Sequence, residues 1–442
     1  MAQSLFRDTI FALSSGRLPS GVAVIRLSGP HVRETLKSLT GAAPVPRRAA
    51  LSAICSLAGE PLDHGIVLFF DGPKSFTGED CAEFQIHGGV ATVTAVLREL
   101  GTIDGLRLAQ AGEFTRRAFI NDKIDLTEAE GLADLIASET EAQRLQALAN
   151  AQGGQRIIYE DWRRRIVHGR AMIEAELDFA DEGDVPGSVS QRIWADLAQL
   201  QAAITAHVSR ARSGEIVRNG FDVVILGAPN AGKSSLMNAL AGRDVSIIAD
   251  EAGTTRDLVE ARLDLGGYRV NLADTAGIRE NAGHVESIGI KKALSRSLGC
   301  DLVLLVEDVT APGTAPDSDG DAAVLRIGLK SDLSEPSGTC GYDLCVSAAS
   351  GLGLDSLCSA IETMAREAGS RAGEATPVRQ RQTDELRLCA GHLGVALASV
   401  TCGLELRAEE LRLAGDALGR LTGRIDVEDL LDVIFSEFCV GK

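Results

Sequence analysis

Short apolar runs separated by glycine and proline open the chain. Val22-Ala23-Val24-Ile25 and Ile66-Val67-Leu68-Phe69-Phe70 are rich in β-branched and aromatic residues and bounded by turn formers, which predicts strands. Residues 1 to about 120 therefore read as a compact α+β domain. From about Leu126 to Ser213 the period changes. Leu132, Leu135, Ile136, Leu145 and Leu148 recur near helical spacing with charges between them, and Gly153-Gly154 interrupts the run. Ile166, Ile173 and Leu177 carry a second helix, and Ile193 to Val208 a third. From Phe221 strands and helices alternate: Phe221–Leu226, Val270–Ala273, Asp301–Val306 and Ala323–Ile327 are buried-strand candidates. That alternation predicts a mostly parallel sheet with helices on both faces, ending near the helix after Gly353. A Gly/Arg/Glu-rich linker, Gly369 to Pro377, leads back to helical pattern as far as about Phe438.

The predicted division is 1–121, 122–219, 220–370 and 371–442. Two helical blocks flank the α/β block, and the simplest packing joins them in one bundle with the α/β domain inserted. Such insertions are tolerated where the inserted domain's termini lie close together.

Composition narrows the function. Of the 442 residues, 45% are hydrophobic, enough for a sizeable core, and only 4% are aromatic, which leaves little for broad base-stacking surfaces. The formal charge of −18 argues against binding nucleic acid or membrane through bulk charge. Asp161-Trp162-Arg163-Arg164-Arg165 is a candidate local basic patch, with a solvated helix face as the simpler reading. No stretch approaches the roughly 18 apolar residues of a membrane span, and the first residues carry Arg7 and Asp8 rather than a leader's apolar run. The nine cysteines lack metal-ligand spacing and read as reduced cytoplasmic thiols, mostly small buried hydrophobes.

The chemistry concentrates after residue 221. Gly227-Ala228-Pro229-Asn230-Ala231-Gly232-Lys233-Ser234 fits G-x-x-x-x-G-K-S, placed between a strand and a helix as the motif requires. Its N–H groups and the helix N-terminus suit phosphates, Lys233 the β- and γ-phosphates, and the Ser234 hydroxyl Mg²⁺. Asp274-Thr275-Ala276-Gly277 ends another apolar strand. Asp274 is placed to support Mg²⁺, and the Gly277 N–H to sense the γ-phosphate. Between them, in Gly253-Thr254-Thr255-Arg256-Asp257, Thr255 is the candidate switch threonine that also ligates Mg²⁺. Guanine is usually read by Asn-Lys-x-Asp; here the segment is Leu329-Lys330-Ser331-Asp332. Asp332 can accept from the guanine ring N–H and amino group and Lys330 can lie along the base. Leu329 lacks the usual polar contacts, at a cost of about 1–3 kcal/mol in guanine affinity. Ser347-Ala348-Ala349 fits the last base-contact loop. The place where related switches carry a water-orienting Gln is Ile278, leaving Glu280 and Glu286 as acidic candidates. Asn230 followed by the long Val245–Gly253 segment suggests a K⁺-like cation site.

In this order the motifs resemble the MnmE (TrmE) family of tRNA-uridine-modifying GTPases over essentially the whole chain. The resemblance rests on Phe76-Thr77-Gly78-Glu79-Asp80, Gln85-Ile86-His87-Gly88-Gly89, Ala111-Gly112-Glu113-Phe114-Thr115-Arg116-Arg117-Ala118-Phe119, Asn121-Asp122-Lys123-Ile124-Asp125-Leu126 and, most diagnostic, the terminal Phe438-Cys439-Val440-Gly441-Lys442. It implies an N-terminal tetrahydrofolate-binding-like domain that mediates homodimerisation, and a helical domain interrupted by a P-loop GTPase domain. It also implies an FAD-dependent partner, MnmG, and tRNA as substrate. The family adds an aminomethyl or carboxymethylaminomethyl group at C5 of the wobble uridine, with a one-carbon unit from a folate. Its GTP hydrolysis is activated when two G domains meet in the presence of K⁺.

By the same resemblance, Asn230 and the carbonyls of Ala249, Glu251 and Thr254 would hold K⁺, and Glu286 rather than Glu280 would orient the water. Arg26, Glu83, Lys123 and Lys442 would contact 5-formyltetrahydrofolate. Their chemistry suits it, since cationic side chains match a glutamyl carboxylate and Glu83 can accept from pterin N–H groups. Cys439 matches the family's terminal cysteine, either a thiol nucleophile or a docking element. The residues assigned to nucleotide contact are Asn230, Ala231, Gly232, Lys233, Ser234, Ser235, Ala249, Asp250, Glu251, Ala252, Gly253, Thr254, Thr255, Asp274, Thr275, Ala276, Gly277, Lys330, Asp332, Ser347, Ala348 and Ala349. Ribosome-assembly GTPases of the Era or Der kind share the apolar residue after Asp-Thr-Ala-Gly, but this chain has neither a KH-type Gly-x-x-Gly loop in the right place nor a basic surplus. A folate-dependent aminomethyltransferase with a degenerate switch domain is disfavoured by the intact Lys233, Ser234 and Asp274.

Overall fold

The computed structural model describes residues 6–178, 188–242, 260–274, 299–311, 322–334, 341–369, 373–398 and 403–425, with 431, 434, 435, 438 and 441 near the C-terminus. Contacts group the chain into two compact units, 1–133 with 159–163 and 416–442, and 134–158 with 164–415.

The first unit is built on a six-stranded sheet. Its strands are β1 (Thr9–Leu13), β2 (Ser20–Ser28), β3 (Ala50–Cys55), β4 (Pro61–Phe70), β5 (Cys81–Gly88) and β6 (Leu106–Leu108), in the spatial order β3-β4-β5-β2-β1-β6. All neighbours are antiparallel except β1 and β6. Alternation along β2 sends Ala23, Ile25 and Leu27 inward, with no exposure. They meet Val32, Leu36 and Leu39 of α1 (Val32–Thr40) and Val93, Val96 and Leu100 of α2 (Val90–Leu100) in one core. This is the α+β arrangement that the apolar runs predict.

Helix α3 (Glu113–Ile120) closes the other side through one fully buried guanidinium. Arg117 donates to Glu79 Oε2 at 3.1 Å, Glu113 Oε1 at 3.2 Å, and the Asp8 carbonyl and carboxylate at 3.0 and 2.9 Å. Burial alone would raise the Glu113 carboxyl, but hydrogen bonds from Arg107 and the Gln110 N–H, with the charges of Arg107 and Arg117, hold it below its usual range. Helix α4 (Leu126–Ala137) starts the next segment. Its Leu126 and Ala129 pack with Leu431, Ile434, Phe435 and Phe438 from the far end of the chain.

The second unit carries helices and a second sheet. The helices are α5 (Glu141–Ala151), most of α6 (Gly154–Asp178), α7 (Ser188–Val208), α8 (Ala211–Asn219), α9 (Lys233–Ala241), α10 (Leu354–Ala368), α11 (Gln380–Ala398) and the first part of α12 (Leu404–Thr422). The strands are β7 (Phe221–Gly227), β8 (Glu260–Leu265), β9 (Tyr268–Asp274), β10 (Leu302–Asp308), β11 (Ala323–Leu329) and β12 (Leu344–Val346), in the order β12-β11-β10-β7-β9-β8. The sheet is parallel apart from the β8–β9 hairpin. One face buries Val223, Ile225 and Leu304 against Leu236 and Leu240 of α9 and Leu357 and Ile361 of α10. The other gathers Val224, Leu226, Val303 and Leu305.

Helix α11, which follows the sheet in sequence, packs along α7, which precedes it, and Gln201 Nε2 donates to the Ala390 carbonyl at 3.2 Å. Helix α5 meets the hairpin: Ala142 N donates to the Gly267 carbonyl at 2.9 Å, and Arg269 pairs with Glu139 at 3.0 Å.

Two expectations change. Among the six described cysteines only Cys81 and Cys389 are buried, while Cys55, Cys300, Cys345 and Cys358 are half-buried; Cys300 and Cys358 pack against the margins of apolar clusters rather than within them. Within Asp161 to Arg165, Trp162 is a core residue and Arg165 pairs with Asp196 at 2.6 Å, so the stretch is not a uniform basic patch.

Replacing Arg117 with Met should destabilise the N-terminal unit by about 3–5 kcal/mol in urea unfolding, because Glu79 and Glu113 lose the charge that compensates their burial.

Candidate nucleotide site and a second site on the N-terminal sheet

Strand β7 runs straight into the glycine-rich loop, and α9 begins at Lys233. Gly227 lies against β10 so closely that a Cβ there would sit 2.3 Å from the Val306 carbonyl oxygen. Gly232 is the N-cap of α9 with φ 103, and Asn230 holds φ 62, which non-glycine residues adopt infrequently. These bends turn the loop back over the start of α9. The helix's first N–H groups and its dipole favour an anion there. Lys233 is 7% exposed, and its Nζ donates to the Gly227 and Ala228 carbonyls, each at 2.9 Å. Ala231 is buried, while Asn230, Ser234 and Ser235 are exposed.

Two further segments arrive at the same carboxyl ends of the parallel strands, where ligands bind in open α/β sheets. Asp274 ends β9 and pairs in register with Ile225 of β7. Beyond β11, Lys330 adopts φ 62, and its Nζ bonds Asp308 Oδ2 at 2.5 Å and lies 3.4 Å from the Asn230 carbonyl oxygen. Leu329 is a core side chain, 2% exposed, facing Gly232 of the loop. Asp332 is exposed; Ser331 N donates to Val346 O at 3.4 Å, tying this segment to the strand before Ser347-Ala348-Ala349. Ser347 is buried, and its Oγ accepts from Ser350 N at 3.1 Å, which shapes that last turn.

A second constellation lies in the first unit. Arg26 of β2 and Glu83 of β5 are direct cross-strand partners, with Arg26 Nη2 2.9 Å from Glu83 Oε1. The guanidinium lies 5.9 Å from the ring centroids of both Phe76 and Phe114. Lys123 packs over Gly78, whose φ is 80; a Cβ there would lie 2.9 Å from Lys123 Cε. Asn121 Nδ2 donates to the Thr77 carbonyl at 2.6 Å and fixes that approach. The chain's end comes to the same sheet: Ser14 Oγ donates to the Gly441 carbonyl at 2.7 Å, and Gly441 has φ 99.

The MnmE helical domain family matches residues 126–439, and the family described as GTP-binding protein TrmE N-terminus matches residues 9–123. A tRNA modification GTPase MnmE of Brucella anthropi is 54% identical over 436 residues, 99% of this chain and 98% of that protein. The chain belongs to the MnmE family of tRNA modification GTPases. The MnmE of Chelativorans sp. is 55% identical over 436 residues, again 99% of this chain and 98% of the relative. Among solved structures, the G domain of the T. maritima FeoB iron transporter is 24% identical and covers 34% of this chain and 98% of its own, at a TM-score of 0.24, too slight a likeness to bear on the fold.

As an MnmE-family member the chain is a GTP hydrolase with a P-loop GTPase domain. Asn230, Ala231, Gly232, Lys233, Ser234 and Ser235 follow β7, Lys330 and Asp332 follow β11, and Ser347, Ala348 and Ala349 follow β12, all at the carboxyl ends of parallel strands; Asp274 ends β9 beside β7, and Lys330 is the member that touches the phosphate loop. Ala249, Asp250, Glu251, Ala252, Gly253, Thr254, Thr255, Thr275, Ala276, Gly277, Ile278, Glu280 and Glu286 lie outside the described residues, as do Cys439 and Lys442. Sequence reasoning missed Asp308, Phe76 and Ser14 as neighbours of these sites. Phe76 stands within one of the motifs that carry the resemblance, whereas the pairing of Asp308 with Lys330 depends on strand register and left no local signal.

Lys233→Ala should lower GTP turnover by about 10²–10³-fold, the scale of removing one preorganised charge-stabilising group. Steady-state phosphate release checks this, with unchanged circular dichroism as the control for folding.

Proposed function

We propose that the chain is a potassium-activated GTPase. Together with the FAD-dependent MnmG subunit, it adds an aminomethyl or carboxymethylaminomethyl group at C5 of the wobble uridine of certain tRNAs. The observation that carries the GTPase part is the convergence of the Lys233 loop, the Lys330–Asp332 segment and the Ser347–Ala349 turn at one end of a parallel sheet. Family membership supports the rest.

In this reading residues 220–370 form the G domain, 122–219 and 371–442 the helical domain around it, and 1–121 the folate-binding and dimerisation domain of a cytoplasmic homodimer. Lys233 and the first N–H groups of α9 bind and orient the phosphates. Ser234 and Thr255 hold Mg²⁺, for which hydroxyl oxygens are suitable hard ligands, and Ser234 is exposed at the mouth of the loop. Asn230 is likewise exposed on a left-handed turn of the loop, so its amide oxygen can serve a K⁺ together with the carbonyls of Ala249, Glu251 and Thr254. That ion supplies positive charge where the phosphates become more negative. Glu286 orients the attacking water. Asp332 accepts from the guanine ring.

On the N-terminal sheet, Arg26 holds the Glu83 carboxylate through Oε1 alone, which leaves the carboxylate's second oxygen outside that ion pair to accept from a pterin. Lys123 and Lys442 provide charge for a folate's carboxylates, with 5-formyltetrahydrofolate or a related one-carbon folate as the donor. Gly441 resting on β1 accounts for how the end of the chain reaches that sheet.

GTP hydrolysis measured in K⁺ and in Na⁺ buffer at matched ionic strength should show strong stimulation by K⁺ that is lost in Asn230→Ala. Equal slow rates in both salts would remove the cation site from this account.

A further inference from the structure

We propose that Asp308 is a positioning residue for guanine recognition, clamping Lys330 so that the base-reading segment is anchored despite the leucine at position 329. The inference rests on the reading of this site as a guanine-nucleotide site and names a residue that the motifs do not include.

The segment after β11 must be held firmly, because Asp332 can discriminate a base only if its carboxylate is fixed in place. At the head of the segment, Leu329 is buried in the core beneath the sheet and offers no polar atom to tie the segment to the phosphate loop. Asp308 ends the neighbouring strand and pairs in register with Leu329. Its Oδ1 accepts from Thr310 N at 2.9 Å and Thr310 Oγ1 at 2.6 Å, which sets the plane of the carboxylate. Its Oδ2 then receives Lys330 Nζ at 2.5 Å, and the same ammonium lies 3.4 Å from the Asn230 carbonyl oxygen in the phosphate loop. One charge thus links β10, the base segment and the phosphate loop.

Two more features depend on that link. Lys330 holds φ 62, a conformation that a side-chain-bearing residue keeps when its surroundings fix it. Its stem crosses Gly232, with Cε 4.0 Å from where a Cβ would be. Leu333 N donates to the Lys330 carbonyl at 3.0 Å, so the turn carrying Asp332 is built on Lys330 itself. The Lys330 hydrogen bond, followed by those of Thr310, holds the Asp308 carboxyl down at about 2, so the clamp stays charged throughout the neutral range.

The test uses the full chain and measures GDP and IDP affinities by competition against a fluorescent GDP analogue. IDP lacks the exocyclic amino group that Asp332 accepts from. Asp308→Asn keeps the shape and an acceptor for Thr310 but removes the charge. It should weaken GDP by about tenfold, the scale of a charge-assisted hydrogen bond, and lower the GDP-to-IDP affinity ratio. In a Lys330→Met background the same substitution should cost less than about twofold, and in a Leu329→Asn background less than about threefold, because linked residues are not additive. Unchanged GDP affinity in Asp308→Asn would overturn the clamp. So would an equal loss in every background, or GDP and IDP weakened alike, since each is what a purely structural role gives. A parent chain that binds GDP no better than ADP would overturn the guanine reading itself, and the clamp with it.

Discussion

The nucleotide site depends on how closely the backbone of β7 approaches β10 at its end. At residue 227 a side chain would collide with the Val306 carbonyl, so only glycine lets the strand end there and the loop turn at once. From that turn the left-handed residues Asn230 and Gly232 bring the chain round to the first turn of α9, and Lys233 is drawn across the loop carbonyls. The parallel neighbours β10 and β11 end at the same level and deliver Asp308 and Lys330 beside it. The chemistry of the site follows from this shared edge. The first N–H groups of α9 and the Lys233 ammonium gather along it, with the Asp308 carboxylate and Lys330 on the neighbouring strands.

The first unit is organised around a different constraint, a guanidinium with no exposed surface. Arg117 joins the segment around Glu79 to α3 and to the residues before β1. On that segment the Phe76 ring lies beside Arg26 and Gly78 lies beneath Lys123, so the buried ion cluster and the proposed folate contacts share a framework. The chain's last residues complete it. Phe435 packs against Phe119, and its carbonyl lies where any side chain on Gly112 would be. A change in the terminal segment should therefore be felt on the N-terminal sheet more than 400 positions earlier in the chain, as the 427-residue separation of the Ser14–Gly441 hydrogen bond illustrates.

Much of this was legible in the sequence where the signal is local. The strands around Phe221 and Leu302 are largely apolar and buried, and the phosphate loop announces itself by glycine spacing between a strand and a helix; Ala323–Ile327 is also a strand, but not the buried one expected, since Ala323, Val324 and Arg326 are exposed and burial begins only at Ile327. Val270–Ala273 was read as a strand, but β8 and its hairpin pairing with it were missed, although Gly266-Gly267 with φ 59 and 86 is the sort of pair that a two-residue hairpin turn requires. What could not be read was register. Nothing near Arg26 in sequence indicates Glu83, and nothing near Lys330 indicates Asp308; both pairs exist because particular strands lie side by side. The half-burial of four cysteines is similar, since residue type alone does not say whether a position falls within a core or on its margin.

The central claim is that this sheet edge binds and hydrolyses a guanine nucleotide. The most direct measurement is Mg²⁺-dependent phosphate release by the purified full chain with GTP and with ATP at equal concentrations. The account predicts turnover of GTP with little or none of ATP, because Asp332 has its donors only on guanine. Equal or faster turnover of ATP would contradict it.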